Sequence, residues 1–188
     1  KELEQIHMVL GFEGLSIHDK DFESIQVYDF IMGVGFSSRL FQEIREKRGL
    51  VYSISSSVDC FSDSGTFGVN VGTGKDKITE LIPALCDELV KSPTNITEEE
   101  IARAKAQVKS SLVMSLESSE SNSARWSYNL LDYNKLIEIE EKIEKINNVS
   151  KESIERVVTG LLQSKPTIAS IGPIKNLEKL ENIQSRFI

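Results

Sequence analysis

Runs of apolar residues and stretches of mixed polarity along the first half of the chain predict three strands and two helices. A continuous apolar run bounded by glycines, Gln5 to Leu15, predicts a buried strand. The apolar positions between Asp19 and Met32 suit a buried helix, and a second helix is expected from Ser37 to Gly49, where a left-handed residue ends it. The stretches Leu50 to Cys60 and Gly65 to Thr73 follow as a predicted hairpin.

The second half of the chain is predicted to be mainly helical. The expected elements are a helix from Lys75 to near Pro93, a long helix capped by Thr97 with Glu100, a helix after a break near Ser121, helices over Lys135–Ile146 and Glu152–Leu162, a strand over Lys165–Gly172 and a short tail helix. Because strands and helices are grouped and do not alternate strictly, the pattern predicts an α+β fold, with an antiparallel sheet and helices packed on one face. A single domain over residues 1–188 is the simplest arrangement.

Composition narrows the classes of function. The chain has 188 residues, of which 39% are hydrophobic and 27% charged, as in an ordinary globular domain. Its net charge of -7 argues against a nucleic-acid partner, because phosphate binding needs basic patches. Since no apolar stretch approaches the roughly 20 residues that a bilayer requires, a membrane span is not expected. The two cysteines, Cys60 and Cys86, are predicted to be free thiols.

The residues alone show no complete catalytic set. His7 lies in the first predicted strand and His18 in a polar loop, without the spacing of a zinc site. We therefore expect each histidine to be structural or solvated, and we predict no metal site in this chain. A serine or cysteine nucleophile would also need a histidine and an orienting group, which the pattern does not place beside it.

The hairpin has an unusual face. At period two, small side chains share one side of both strands, and among them Ser53, Ser55, Gly68 and Asn70 are our candidate substrate-binding residues. Their size would leave the backbone open to an extended peptide or to another domain, although chance composition explains the pattern equally well. The same alternation puts Tyr52 on the apolar side, as a core tyrosine, unless twist or a bulge near Gly49 turns it outward.

Three segments resemble one family of enzymes. The stretch "GVGFSSRLFQEIREKRGLVYSISS" (Gly33 to Ser56) is similar to the C-terminal half of pitrilysin-type zinc metallopeptidases, the inverzincins, and most of all to the branch of the mitochondrial processing peptidase β subunit and its bacterial relatives. The helix "TEEEIARAKAQVKSSLVMSLES" (Thr97 to Ser118) and the closing "IASIGPI" (Ile168 to Ile174) extend the resemblance over nearly the whole chain. Val34 and Phe36 depart from the usual glycine-rich loop.

The resemblance implies a specific division of labour. In that family two similar α+β halves close like a clamshell over an unfolded peptide, and the zinc motif H-x-x-E-H lies in the N-terminal half. That motif is absent here, so the resemblance implies that zinc is bound by the missing N-terminal half and none by this chain. An Arg and a Tyr seven residues apart are the contribution of the C-terminal half to the active site, and they fall on Arg45 and Tyr52.

We therefore predict the substrate-binding, chamber-closing half of a zinc metalloendopeptidase that cleaves extended peptides. Arg45 and Tyr52 would steady the developing oxyanion. The alternative is a non-catalytic scaffold or peptide-binding subunit of the same fold. The expected partners are the N-terminal catalytic half or a homologous subunit and an extended peptide substrate, with a homodimer as a further possibility. The expected location is the bacterial cytoplasm, or alternatively the mitochondrial matrix.

Overall fold

A four-stranded antiparallel sheet lies at the centre of the computed structural model, which describes residues 3–187. Its strands are β1 (Gln5–Glu13), β2 (Ser53–Cys60), β3 (Gly65–Gly74) and β4 (Thr167–Ile171), in the order β2-β3-β1-β4. Residues 61–64 join β2 to β3 as the predicted hairpin turn. The α+β fold, with an antiparallel sheet and helices on one face, is confirmed.

The helices occupy the remainder of the described chain. They are α1 (Phe22–Met32), a π-helix (Phe41–Lys47), α2 (Ile78–Asn95), α3 (Glu98–Ser115), α4 (Ser119–Tyr133), α5 (Ile139–Asn148), α6 (Lys151–Gln163), a short 3-10 turn (Ile174–Asn176) and α7 (Leu180–Gln184). The predicted cap at Thr97 is confirmed, because its side chain accepts a hydrogen bond from a backbone N–H group in the first turn of α3. The side chain of Ser150 caps α6 in the same way.

Several boundaries differ from the sequence prediction. The helix expected to end near Pro93 continues to Asn95, because residues 93–95 extend its last turn past the proline. The helix expected from Lys135 begins only at Ile139, after an extended residue, Glu138. β2 begins at Ser53 and not at Leu50, because the register of paired residues between β2 and β3 starts there.

The core lies between the sheet and the helices. Every second residue of β1 is buried, and the same alternation buries Phe67, Val69 and Val71 of β3 as predicted. The opposite face of the sheet, which we call the outer face, carries the alternate positions. The outer face of β1 includes exposed residues such as His7 and Val9, so the helices leave this side of the sheet open.

One close approach fixes α1 against the sheet. A Cβ atom on Gly33 would lie 2.0 Å from the backbone nitrogen of Ser56, so only glycine fits at this position. The Ser56 hydroxyl, on the inner side of β2, donates hydrogen bonds to the carboxylate and to the backbone carbonyl of Asp29. Burial raises the pKa of Asp29. The hairpin is thereby held in position by α1.

Candidate functional site

A tight reversal at Gly49 joins the π-helix to the sheet. Gly49 has φ +60°, the left-handed conformation that its predicted role as a helix terminator requires. Its N–H donates to the Arg45 carbonyl at 3.0 Å, and the N–H of Leu50 donates to the Ile44 carbonyl at 3.1 Å. The chain therefore turns directly from the charged end of the helix towards the strands.

Tyr52 is an exposed residue, so the prediction from strict alternation that it lies in the core is wrong. Its side chain is 62% exposed, and Val51, its predecessor, is the buried residue. The paired residues of β2 begin at Ser53, opposite Gly72, so Tyr52 lies before them. The N–H of Tyr52 donates to the carbonyl of that same Gly72 at 2.8 Å, and the hydroxyl of Thr73 donates to the carbonyl of Leu50 at 2.6 Å. Alternation counted from Leu50 therefore does not apply to Tyr52.

The Tyr52 hydroxyl lies on the outer face. It is 3.7 Å from the point that a Cβ atom on Gly74 would occupy. Gly74 has the same parity in β3 as Gly72, whose own Cβ position faces Ser53 and His7 on that side of the sheet. Gly74 thus leaves room for the phenol, and the hydroxyl is available to a molecule lying on the outer face.

Arg45 is half-exposed at the end of the π-helix. Its side chain is 41% exposed, and its guanidinium lies 4.7 Å from the centre of the Phe41 ring, a cation–π contact that orients it. The contact with Glu46 is 4.0 Å long, at the limit of an ion pair. Arg45 therefore retains hydrogen-bond donors that can bind an anionic or carbonyl oxygen.

A shallow groove of about 400 Å³ runs across the outer face. Its walls and floor are formed by His7, Met8, Val9, Ser53, Ser55, Asn70, Val71, Ala169, Ser170 and Ile171. Three of the four predicted substrate-binding residues, Ser53, Ser55 and Asn70, line this groove. The Asn70 amide donates to the Ser57 hydroxyl at 3.4 Å, which holds the amide on this side.

Gly68, the fourth predicted residue, lies on the outer face but is buried. The side chains of Ser57 and Val9 each lie 3.7 Å from the position of a Cβ atom on Gly68. Its backbone is therefore covered from two sides, and it is not among the residues that line the groove. A substrate contact at Gly68 stays a prediction.

The sequence prediction did not identify two residues: His7 as part of the groove, and Arg39 as the residue that ties the helical segment to α3. His7 lines the groove, across the ladder from Gly72 and Ile171, and its alternation with the buried residues of β1 was the signal for its outward position. Arg39 binds Glu100 through a two-pronged ion pair, with nitrogen–oxygen distances of 2.6 and 2.7 Å. Because these partners are 61 residues apart, local pattern could not identify the pair.

The Arg39–Glu100 pair fixes the start of the helical segment that carries Arg45. Arg39 also donates to the carbonyl of Asn95 at 2.7 Å, and its side chain is only 12% exposed. Burial alone would raise the pKa of Glu100, but hydrogen bonds from Arg39 and Thr97 outweigh burial and lower it to about 2. This ionised pair joins the segment to α2 and α3.

The side chains that the structure describes offer no set of ligands for a zinc ion. Among residues 3–187, no group of three or more His, Cys, Asp or Glu side chains is placed to hold a metal. In the same part of the chain, no helix is both long and apolar enough for a bilayer span.

Comparison with known proteins identifies the family. A family model described as "Peptidase M16 inactive domain" matches residues 1–108. The chain belongs to the peptidase M16 family. This match confirms the resemblance to the C-terminal half of pitrilysin-type peptidases, and the word "inactive" agrees with the absence of a zinc motif from this part of the protein.

Bacterial proteases are similar to this M16 domain over nearly its whole length. An uncharacterized zinc protease of Rickettsia felis is 38% identical over 174 residues, which cover 92% of the chain and 42% of that protein. An uncharacterized zinc protease of Bacillus subtilis, YmxG, is 34% identical over 178 residues, which cover 94% of the chain and 44% of that protein. The chain thus spans about two-fifths of the length of these relatives.

Solved structures share the fold of this M16 domain. A chain of complex III from Candida albicans superposes with a TM-score of 0.89 at 20% identity, and the match covers 100% of this chain and 48% of that one. A conserved protein from Enterococcus faecalis superposes with a TM-score of 0.82 at 26% identity, covering 92% of this chain and 40% of that one. In both cases one part of a longer chain has this architecture.

Proposed function

We propose that this domain is the substrate-binding, chamber-closing half of a zinc metalloendopeptidase that cleaves extended peptides. The observation that carries the proposal is the outward position of Tyr52, whose hydroxyl lies on the open outer face beside Gly74, next to the reversal that follows Arg45. The ring is 62% exposed, so Tyr52 is not a core tyrosine.

The two side chains would act on the scissile carbonyl. When a peptide bond is attacked, negative charge develops on its oxygen, and donors already in position stabilise that charge without reorganisation. The Arg45 guanidinium and the Tyr52 hydroxyl supply such donors. The groove that begins at Ser53, the neighbour of Tyr52, and continues past Ser55 and Asn70 would hold the peptide in an extended form.

Zinc would be held outside this chain. The named bacterial relatives are called zinc proteases, and they are more than twice the length of the matched region. We propose that the remaining part of the polypeptide, or a homologous subunit, supplies the metal site and the opposite wall of the chamber. The residues described here would bind and orient the peptide.

Peptidase kinetics of the complete enzyme test this role. We expect Arg45→Ala and Tyr52→Phe to lower kcat by about 10²-fold each, corresponding to ~3 kcal/mol per lost donor, while zinc content and melting temperature are unchanged. Matched controls are Arg48→Ala, an exposed arginine three residues further on, and Tyr128→Phe, an exposed tyrosine of α4.

The controls should retain full turnover. If Arg45→Ala and Tyr52→Phe leave kcat/KM unchanged in a folded, zinc-loaded enzyme, the catalytic role is excluded. A complete protein that cleaves no peptide even in its wild-type form would favour the non-catalytic scaffold.

A further inference from the structure

A second cavity lies among the helices, on the opposite side of the sheet from the groove. It has a volume of about 470 Å³, and residues of α1, α3, α4 and α5 line it together with Val58 of β2. A cavity of this size can hold a small organic molecule. Within residues 3–187 it shares no lining residue with the groove, and neither Arg45 nor Tyr52 lines it. The cavity is therefore separate from the site proposed above.

Apolar side chains form much of the wall of this cavity, which we call the helical cavity. Phe22 and Phe30 of α1 and Tyr133 of α4 contribute aromatic rings, and Leu112 and Ile146 add aliphatic side chains from α3 and α5. Phe22, Phe30 and Leu112 are only partly buried by the domain itself. A ligand with apolar side chains would remove this remaining surface from water, which is favourable.

Asp29 is a carboxylate of the helical cavity without a cationic partner. It accepts a hydrogen bond from the Ser56 hydroxyl, and within residues 3–187 it forms no ion pair. Burial raises the pKa of Asp29, and the charged side chain that acts on it is a second carboxylate, Asp59, which raises the pKa further. A positively charged ligand group at Asp29 would therefore be stabilised.

Asn129 adds a buried acceptor to the same cavity. The residue is only 3% exposed, and its amide nitrogen donates to the Ile137 carbonyl at 3.3 Å. Its amide oxygen accepts no hydrogen bond within residues 3–187. Because a buried acceptor without a donor costs free energy, a ligand N–H group at this oxygen would be favourable. An ammonium group carries three donors and suits acceptors of this kind.

The helical cavity also has a cationic end. Lys142 lines it, is partly buried and forms no hydrogen bond or ion pair within residues 3–187. Burial lowers the pKa of Lys142 and nearby Arg125 lowers it further, while Glu23 acts in the opposite direction with a smaller effect. The Arg125 Nε atom is buried without an acceptor in the described chain, and the other nitrogens of this guanidinium make bonds of 3.4 Å. A carboxylate here would stabilise both cations.

The two ends of the helical cavity are separated by the length of a short peptide. Glu23 lies at the cationic end, near Lys142, and Asp29 is six residues further along α1. Six residues of an α-helix correspond to about 9 Å. Two extended residues span about 7 Å, and a hydrogen bond at each end adds about 3 Å. A dipeptide is therefore long enough to reach both ends.

We infer that the helical cavity binds a short apolar peptide with free termini, whose ammonium group lies at Asp29 and whose carboxylate lies at Lys142. The inference goes beyond the proposed function and does not involve Arg45 or Tyr52. A ligand with both charges is favoured, because an amine alone would leave Lys142 and Arg125 without an acceptor. A carboxylate alone would leave Asp29 without a cation. The apolar side chains of the peptide would pack against the aromatic residues of α1.

Calorimetric titration of the complete protein with three related ligands tests this assignment. The probe is the dipeptide leucyl-phenylalanine, and the matched ligands are its N-acetylated form, which lacks the ammonium group, and its C-terminal amide, which lacks the carboxylate. The free dipeptide should bind at one site in this domain. Each blocked form should bind about tenfold more weakly, as expected for the loss of one charge-assisted hydrogen bond.

Variants assign each terminus to its residue. Asp29→Asn should weaken binding of the free dipeptide and abolish its advantage over the acetylated form, whereas Lys142→Gln should abolish its advantage over the amide. Lys91→Gln, at an exposed position of α2, is the matched control for the lost charge and should bind all three ligands as the wild type does. Arg45→Ala should also bind them as the wild type does, because Arg45 does not line the helical cavity.

Four outcomes would overturn the inference: no binding of the free dipeptide at millimolar concentration, equal affinity for the three ligands, unchanged ligand preference in both cavity variants, or loss of binding in Arg45→Ala. The last outcome would place the dipeptide at the site proposed for catalysis. Melting temperatures without ligand show whether each variant is folded, and if Asp29→Asn is not, Lys142→Gln decides. Since binding is measured and not turnover, a failure here is distinct from a failure of the catalytic proposal.

Discussion

Arg39 and Arg45 lie in one helical segment, residues 39–47, which includes the π-helix, yet they have different surroundings. Arg39 is 12% exposed and binds the Glu100 carboxylate with two nitrogens, whereas Arg45 is 41% exposed and rests over the Phe41 ring. One arginine has its donors satisfied within the domain, and the other retains them for an external oxygen. The segment therefore has an anchored end and an open end, an arrangement that suits the role proposed for Arg45 as a donor to substrate.

The largest expected difference between the two arginines is in their contribution to the free energy of unfolding. Arg39→Ala leaves the Glu100 carboxylate partly buried without its partner, which should lower the free energy of unfolding by about 3–5 kcal/mol. Arg45→Ala should change it by no more than about 0.5 kcal/mol. Urea unfolding of both variants measures the difference. Arg39→Lys should lose an intermediate amount of stability, because it keeps the positive charge but cannot bind both oxygens of Glu100 with two nitrogens. Similar losses for Arg39→Ala and Arg45→Ala would refute the contrast.

Of the two arginines, only Arg39, through its partner Glu100, should make the free energy of unfolding depend on pH in the acid range. Glu100 has a folded-state pKa of about 2, below its usual 4.5, so its contribution to stability is present above pH 4.5 and is lost as the pH falls from 4.5 towards 2. In Glu100→Gln the free energy of unfolding should therefore fall less steeply over that window than in the wild type. Urea titrations between about pH 6 and pH 3 test this slope.

The control for that slope is Glu99→Gln, since Glu99 is the exposed neighbour of Glu100 in the first turn of α3. It should keep the acid sensitivity of the wild type. The same slope in Glu100→Gln and in the wild type would show that the Arg39 pair does not carry this pH dependence.

The contacts at the anchored end and at the open end of the helical segment also differ in whether the sequence could predict them. Gly49 at the end of the helix and the Thr97–Glu100 capping box are local signals, because the residues that interact are within a few positions of one another. The Arg39–Glu100 contact depends on tertiary packing, which no local pattern contains. The roles proposed for Arg45 and Tyr52 rest on a family resemblance and not on periodicity.

Strand alternation was reliable inside the ladder and wrong at its start. It correctly assigned Phe67 and Val71 to the core, but it failed for Tyr52, where the backbone is not yet paired as a strand. α4 was predicted to follow a break near Ser121, but it begins at Ser119, because the Ser118 side chain caps its first turn.

The reversal at Gly49 joins the open end to the sheet, and replacing Gly49 should have an intermediate effect on stability. Gly49→Ala forces an alanine into φ +60°, with open space around the new methyl group, so the cost should be conformational, about 1–2 kcal/mol. Gly160→Ala is the matched control, because it also meets open space but lies inside α6, where alanine should stabilise by about 0.5–1 kcal/mol. Thermal unfolding should move in opposite directions for the two variants. A Gly49→Ala variant as stable as the wild type would mean that the turn tolerates other conformations.

The smallest effect is expected on KM, from a change in the groove on the outer face. Asn70 lines the groove, and its amide would hydrogen-bond a peptide equally in the ground state and the transition state. In the complete enzyme, Asn70→Ala should therefore raise KM about fivefold, as expected for one hydrogen bond of ~1 kcal/mol, and leave kcat unchanged. Asn182→Ala, at an exposed position of α7, should leave both constants unchanged. A fall in kcat without a change in KM would give Asn70 the catalytic role proposed for Arg45 and Tyr52. No change in either constant would exclude the groove from the proposed peptide site.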